Sequence, residues 1–414
     1  MNLGANTYTP RLVDDLLRRL LSELPAVLLV GPRATGKTTT AERHARTVVR
    51  LDQPGVAVAF EADPDAALRG LAEPVLLDEW QAVPSVLGAV KRTIDANFMP
   101  GRFILTGSVR ADLDAPTWPG TGRLVRVAMY GMTVKEQLRR IGAVPFLDRV
   151  SAGTDLSAPR ERVDLREYVD WALRSGFPDA ALRLSGDARE RWLQSYVEQV
   201  LTRDVDLLDH RRDPVRLSRY FETYALNTAG EVSDSTLYDT AGINAKTAAA
   251  YERLLQNLSV VAGVPAWTSR RLARLTKKSK RYLVDPALLL GAQRLSVDAV
   301  LRDGDLLGRI LDTFVVAQLR AELEVCETRP RLYHLRDQGG RHEVDIIVEL
   351  EAERVIGIEV KATSAPRASD AVHLSWLRDE LGDRFVGGIV LNTGPYVFSL
   401  GDRILAAPIS TLWS

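Results

Sequence analysis

The 414-residue chain has a single cysteine, Cys326, and so can form no intramolecular disulfide and no cysteine-based metal cluster. No apolar run approaches the ~18 residues that a membrane-spanning helix needs. The first residues, Met1-Asn2-Leu3-Gly4-Ala5-Asn6, lack the basic start and apolar core of a secretory signal. Both absences point to a cytoplasmic protein with no membrane partner. An excess of charge is missing too, since 54 Lys and Arg offset 54 Asp and Glu. A neutral total excludes a uniformly basic nucleic-acid wrapper and leaves local patches open. Internal repeats and long low-complexity tracts are also absent. What is there, 46% hydrophobic and 26% charged residues with 29 Gly and 20 Pro, is the composition of a globular chain.

Thr9 as N-cap and Pro10 at the first helical position predict an opening helix, followed by Leu12, Val13, Leu16, Leu17, Leu20 and Leu21 at helical spacing. Short apolar runs at 26–30, 48–51, 75–77 and 102–105 read as strands separated by helices, which predicts a parallel α/β sheet. Residues 143–162 are richer in Pro, Ser, Gly and Asp and read as a linker. The boundaries expected are 1–142 for an α/β domain, 163–295 for a mostly helical region and 300–414 for a β-rich domain.

Gly31-Pro32-Arg33-Ala34-Thr35-Gly36-Lys37-Thr38 fits G-x-x-x-x-G-K-[S/T] between a strand and a helix, the context that a phosphate-binding loop requires. The glycines let backbone N–H groups face phosphates. Lys37 is placed for the β/γ-phosphates of ATP, and the Thr38 hydroxyl for Mg²⁺. The strand Val75-Leu76-Leu77 ends in Asp78 and Glu79. There Asp78 would hold Mg²⁺ through water, and Glu79 would polarise the attacking water. A further strand ends in Thr106-Gly107-Ser108, whose hydroxyls could report the γ-phosphate or orient the water. Arg110, Arg123 and Arg126 follow as candidates to stabilise transition-state charge, in cis or from another copy of the chain.

These three stretches, with Leu77-Asp78-Glu79-Trp80-Gln81-Ala82-Val83-Pro84 as the middle one, resemble the AAA-type P-loop ATPase domain fused to a DUF4143 domain, a prokaryotic family. The resemblance implies a Walker A loop from Gly31 to Thr39, a Walker B strand at Asp78 and Glu79, and a sensor at Thr106. Gly122-Arg123 matches a Gly-Arg pair of the family and implies a nucleotide contact for Arg123. Ser175-Gly176-Phe177-Pro178-Asp179, Arg203-Asp204 and Lys280-Arg281-Tyr282-Leu283-Val284-Asp285 match later landmarks, so the resemblance covers nearly the whole chain.

In the middle region, 235–241 and 245–256 read as helix–turn–helix with a core of Leu237, Ala241, Ile243, Ala248, Tyr251, Leu254 and Leu255. Val260-Val261 and Tyr282-Leu283-Val284 could be the strands of a wing. Between them lie seven cations, Arg270, Arg271, Arg274, Lys277, Lys278, Lys280 and Arg281, a place where a winged helix would meet DNA or RNA phosphates. The three alanines Ala248–Ala250 favour the other reading, a scaffold or protein-facing module.

Near the C-terminus, 343–350 and 355–361 read as two strands around the loop Glu351-Ala352-Glu353. Counting back from that loop sets Asp345 opposite Glu359, with Lys361 on the same face. This is the D…E-x-K arrangement of PD-(D/E)XK nucleases, and the family's C-terminal domain is similar to that restriction-endonuclease-like fold. Asp345 and Glu359 would hold Mg²⁺ or Mn²⁺ while Lys361 activates water. Where the family has Glu-Asn, this chain has Asp312-Thr313, with Asp312 a candidate third acid. The competing reading is a salt-bridged cluster on an inactive relative of the fold. Two functions follow: an ATPase whose nucleotide state controls a nuclease-like half acting on nucleic acid, or a nucleotide-switched regulatory or binding protein, a toxin or defence component included.

Overall fold

The apolar run Ala26–Val30 is buried along its whole length, as a strand inside a parallel sheet must be. The structure is a computed structural model and describes residues 8–107, 122–153, 156–204, 213–230, 232–269, 278–293, 295–336 and 341–414. The chain gathers into two compact units, one of Met1–Gly131 with Leu255–Ser259 and the other of Met132–Leu254 with Val260–Ser414. The second unit takes in both the expected middle region and the expected C-terminal domain.

In the first unit, β1 (Ala26–Val30), β2 (Thr47–Arg50), β3 (Val75–Asp78), β4 (Phe103–Gly107) and β5 (Val125–Ala128) form a sheet in the order β2-β3-β4-β1-β5, every neighbour parallel. Parallel pairing sends the C-terminal ends of β1, β3 and β4 to one edge, where ligands of open α/β sheets bind. The phosphate loop, Asp78 and Thr106 therefore converge although 28 residues separate the last two. Phe60, Trp80, Val86, Val90 and Phe103 fill one face of this sheet. Each such side chain contributes about 1.5–3 kcal/mol by leaving water.

The first helix, α1 (Val13–Glu23), starts later than Thr9-Pro10 suggests, with Leu12 as its N-cap. The reason is Asp14. Its buried carboxylate accepts the backbone N–H of Arg11 at 2.8 Å and the Tyr8 hydroxyl at 2.9 Å, which holds residues 8–11 off a helical path.

In the second unit, the stretch expected as a linker contains the helix Phe146–Ser151. Phe146 and Leu147 are fully buried, and the helix packs on the long helix Gly304–Leu323. Helices Asp234–Thr240 and Ala245–Asn257 precede a two-stranded antiparallel hairpin, β6 (Val261–Val264) and β7 (Lys280–Leu283). Leu237, Ala241, Ala248, Tyr251 and Leu254 are buried, and Ile243 is half-buried.

The last sheet holds β8 (Arg331–Arg336), β9 (Glu343–Glu349), β10 (Val355–Lys361), β11 (Phe385–Asn392), β12 (Phe398–Gly401) and β13 (Ile404–Pro408), in the order β12-β13-β11-β10-β9-β8. β10 runs antiparallel to β9 and parallel to β11. The Glu351–Glu353 turn closes on Leu350 N–H donating to the Arg354 carbonyl at 2.8 Å. The ladder runs from Val355 opposite Glu349 to Ile358 opposite Ile346, which is the register counted from the loop, and Glu359 and Asp345 are the next residues along the two strands. Among the described residues, no helix is long and apolar enough to cross a membrane.

Candidate functional site

The loop between β1 and α2 (Lys37–Glu42) lies hard against the backbone after β5. A Cβ on Gly31 would sit 2.0 Å from the Met129 carbonyl oxygen. Gly36, the N-cap of α2, is left-handed at φ 88°, a conformation open to glycine at no steric cost. The loop is braced internally by Thr35 Oγ1, which donates to the Pro32 carbonyl at 2.9 Å. From outside, the buried Arg11 guanidinium donates to the Thr35 carbonyl at 2.7 Å and the Tyr130 carbonyl at 2.8 Å. Lys37 is 5% exposed, and its Nζ donates to the carbonyls of Gly31 at 3.0 Å and Pro32 at 2.6 Å. Burial lowers its ammonium to about 8, opposed by the negative charges of Glu79 and Asp78. Thr38 is half-buried beside it, while Ala34 and Thr39 are exposed.

The steric closeness at Gly31 carries a prediction. Gly31→Ala must push the loop off Met129, an overpacking that costs about 1–3 kcal/mol, or roughly tenfold and more in affinity. Binding of a fluorescent ATP analogue measures it; unchanged affinity would show that the loop needs no such approach.

Across the sheet edge, Asp78 ends β3 and is 4% exposed. Its Oδ1 accepts two hydroxyls, Thr38 Oγ1 at 2.7 Å and Thr106 Oγ1 at 2.5 Å. Thr106 Oγ1 also accepts the Glu79 backbone N–H at 3.4 Å, so one hydroxyl touches both acidic positions. Glu79 holds a left-handed backbone, φ 52° and ψ 50°, a cost that non-glycine residues bear chiefly where function demands it. Its Oε2 accepts the Gln81 side-chain amide. Burial raises the Glu79 carboxyl above its ordinary range, with the Lys37 ammonium opposing. A hydroxyl, a carboxylate and a phosphate loop thus meet around a buried ammonium. This is an oxygen-donor set that fits Mg²⁺ and a nucleotide triphosphate.

Arg123 does not join them. It precedes β5, at the sheet end opposite the loop, and its Nε donates to Asp95 at 2.7 Å. Ala128 lies five positions further along the chain, up to roughly 16 Å away if fully extended. Arg126 lies within β5, in register with Leu28. Ser108 and Arg110 lie outside the described residues. Three side chains join the site without having been singled out. Arg50 Nη1 is 4.0 Å from Asp78 Oδ2, Gln81 holds Glu79, and Arg11 braces the loop. Arg50 has a signal in hindsight, a cation closing the strand beside β3; Arg11 has none.

The second unit brings Asp345, Glu359 and Lys361 together as well. Glu359 Oε2 accepts Lys361 Nζ at 2.8 Å, and Asp345 Oδ2 accepts the Val360 backbone N–H at 3.1 Å. Burial and the Asp345 charge push the Glu359 carboxyl well above its usual range. A further cation is present. Lys280 Nζ donates to Asp312 Oδ2 at 2.7 Å and to Asp345 Oδ1 at 3.3 Å, and Tyr282 donates to Asp312 at 3.2 Å. The pleat of β7 turns Lys280 and Tyr282 to one side, which takes Lys280 out of the expected basic surface. Two ammoniums already face these carboxylates, so the donor set does not fit the Mg²⁺ or Mn²⁺ expected there. Among the described residues no group of three or more acidic, His or Cys side chains is arranged for a metal ion.

Of the other expected cations, Lys278 Nζ pairs with Asp234 at 2.5 Å, and Arg281 pairs with Asp234 and lies 4.0 Å from Glu252. Arg270, Arg271, Arg274 and Lys277 lie outside the described residues.

Comparison with known proteins matches parts of the chain to three domain families. Residues 23–138 match the AAA domain family, residues 165–299 a domain of unknown function, DUF8612, and residues 307–412 a domain of unknown function, DUF4143. An uncharacterised protein of Mycobacterium tuberculosis and one of Mycobacterium bovis are each 28% identical over 398 residues, spanning 95% of this chain and 82% of theirs. Among solved structures, the Walker-type ATPase of Pyrococcus abyssi is 14% identical at a TM-score of 0.42, over 68% of this chain and 94% of that one. The Aeropyrum pernix Orc1 protein in complex with DNA is 13% identical at 0.31, over 72% and 96%. The chain carries an AAA domain and, after it, a DUF4143 domain.

Proposed function

We propose that this chain is a Mg²⁺-dependent ATPase whose nucleotide state governs a binding function of its second unit. The observation that carries the reading is the double acceptance at Asp78 Oδ1, which ties the phosphate loop through Thr38 and the neighbouring strand through Thr106. In this reading Lys37 binds the β/γ-phosphates. Thr38 and Asp78 hold Mg²⁺, which when bound neutralises phosphate charge. Glu79 takes a proton from the attacking water. Thr106 positions Asp78 and Glu79 by touching both. Arg123, engaged with Asp95, does not supply the transition-state arginine in this reading.

The binding partner this reading favours is nucleic acid, through the helix–turn–helix, the β6–β7 wing and the basic stretch Arg270–Arg281. Metal-dependent cleavage by Asp345, Glu359 and Lys361 is the weaker alternative, because Lys280 already supplies a cation to those acids. Duplex DNA binding should weaken steeply with salt, and neutralising Arg270, Arg271 and Arg274 together should flatten the slope by about one for each phosphate left without its cation. Binding should also differ between ADP and a non-hydrolysable ATP analogue. Salt-independent binding, or identical affinity in both nucleotide states, would remove nucleic acid as the partner. Cleavage of DNA or RNA that disappears in Glu359→Ala would restore the nuclease reading.

A further inference from the structure

Four side chains of the second unit's carboxylate cluster form a deeply buried charged centre, and its chemistry is independent of the ATP site. Four elements build it. The long helix Gly304–Leu323 brings Asp312, β9 brings Asp345, β10 brings Glu359 and Lys361, and β7 of the hairpin brings Lys280 and Tyr282. Asp312 and Glu359 are 6% and 3% exposed, Lys280 is 9% exposed, and Tyr282 is fully buried. Three carboxyls and two ammoniums share this space.

The balance between them is informative. Lys280 Nζ lies between Asp312 and Asp345, at 2.7 and 3.3 Å, where it bridges two acids from different elements as a metal ion would. Lys361 serves Glu359 Oε2. The remaining oxygen, Glu359 Oε1, is buried and receives no hydrogen bond from the protein. A buried carboxylate oxygen without a donor is costly, so the centre has acceptor capacity to spare. The Lys280 ammonium already sits between Asp312 and Asp345, and the Lys361 ammonium against Glu359. A divalent cation entering beside two buried ammoniums would meet their repulsion in a poorly screened interior, which burial penalises heavily.

We propose that the Lys280 ammonium is the built-in cation of this centre: it locks the β6–β7 hairpin to the C-terminal sheet, excludes divalent ions, and leaves the facing carboxylates Asp312 and Asp345 as a divalent-cation site once it is removed. Lys280→Met keeps the stem's volume and deletes the charge, leaving Asp312 and Asp345 without the cation between them. An oxygen-rich, net negative cluster of that kind suits Mg²⁺ or Mn²⁺.

The test is Mn²⁺ binding to the full-length chain without nucleotide, followed by the paramagnetic signal of free Mn²⁺. Wild type is expected to show no Mn²⁺ whose binding is lost in Asp345→Asn. Lys280→Met is expected to gain one Mn²⁺ at least tenfold tighter than any wild-type binding, and Lys280→Met/Asp345→Asn to lose it again. Wild-type Mn²⁺ binding that disappears in Asp345→Asn would overturn the proposal, as would a folded Lys280→Met chain that gains none. Amine acetylation of wild type keeps the proposal testable should the variant fail to fold. Lys280 is expected to be acetylated at least tenfold more slowly than Lys278, whose side chain is 77% exposed, with or without millimolar Mn²⁺. Equal rates at the two lysines, or rapid acetylation of Lys280 on adding Mn²⁺, would show that the ammonium does not hold the centre.

Discussion

Lys37→Ala should reduce ATP hydrolysis by about three orders of magnitude with both units still folded. The physical reason is where the charge sits. Lys37 is 5% exposed, so its ammonium would act on phosphate charge through a medium far less screening than water. One unit charge at about 4 Å and an effective dielectric constant near 20 is worth about 4 kcal/mol, which is roughly a thousandfold in rate. Alanine also leaves the Gly31 and Pro32 carbonyls without that donor, so part of the loss should appear as weaker nucleotide binding. Turnover by a coupled phosphate-release assay, with circular dichroism to confirm folding, decides the matter. Wild-type turnover in the variant would end the ATPase assignment.

Glu79→Gln should separate binding from chemistry. The glutamine keeps the shape, and its neighbour Gln81 can still hydrogen-bond to its side-chain oxygen. Nucleotide affinity should therefore stay within about twofold, while kcat falls by about 10²–10⁴, the range a positioned general base supplies. The pH profile of kcat/KM adds a signature. Glu79 acts as a base only when ionised, and burial has raised its pKa, so the rate should climb with pH on the acid side. Lys37 acts only when protonated and titrates at about 8 in the free protein, so the rate should fall again above that pH. Glu79→Gln should lose the acid limb and keep the alkaline one. An acid limb that survives in the variant would assign it to another group. An unchanged kcat would remove Glu79 from the chemistry.

The strained backbone at Glu79 belongs to the same account. A left-handed non-glycine residue between the buried end of β3 and the turn Trp80–Ala82 is held by its surroundings: Thr106 on its N–H, Gln81 on its carboxylate and Trp80 packed beneath. Relaxing any of these would let the carboxylate swing away from the loop. In the proposed ATPase reading, Thr106 and Gln81 would therefore act on the chemistry through Glu79 and Asp78.

Much of this protein was legible in the chain because the signals are local. The phosphate loop is contiguous, its strand and helix flank it, and Asp78-Glu79 closes an apolar run. Register in the C-terminal hairpin could be counted because a three-residue turn leaves one pairing, and the ladder follows that count as far as Ile358 opposite Ile346. The helices Asp234–Thr240 and Ala245–Asn257 and the β6–β7 hairpin strands likewise announce themselves by spacing and by the break at Gly242. Composition misled at residues 143–162. Pro, Ser and Gly suggested a linker, yet Phe146 and Leu147 have a helix to bury against.

What could not be read off the chain is who partners whom across long separations. Lys280 looked like one of seven surface cations, since nothing in 270–281 records that Asp312 and Asp345 lie 32 and 65 residues further on and face it. Arg123 looked like a nucleotide contact because Gly122-Arg123 matches a pair of the resembled family, but a parallel strand begins at the sheet end remote from the loop. Arg11 braces a loop carbonyl 24 residues away and carries no motif of its own. Periodicity and turn chemistry are properties of neighbouring residues and survive in one dimension. Buried charge balance depends on which elements meet in the packed interior, where a carboxylate must find a cation wherever the chain happens to bring one.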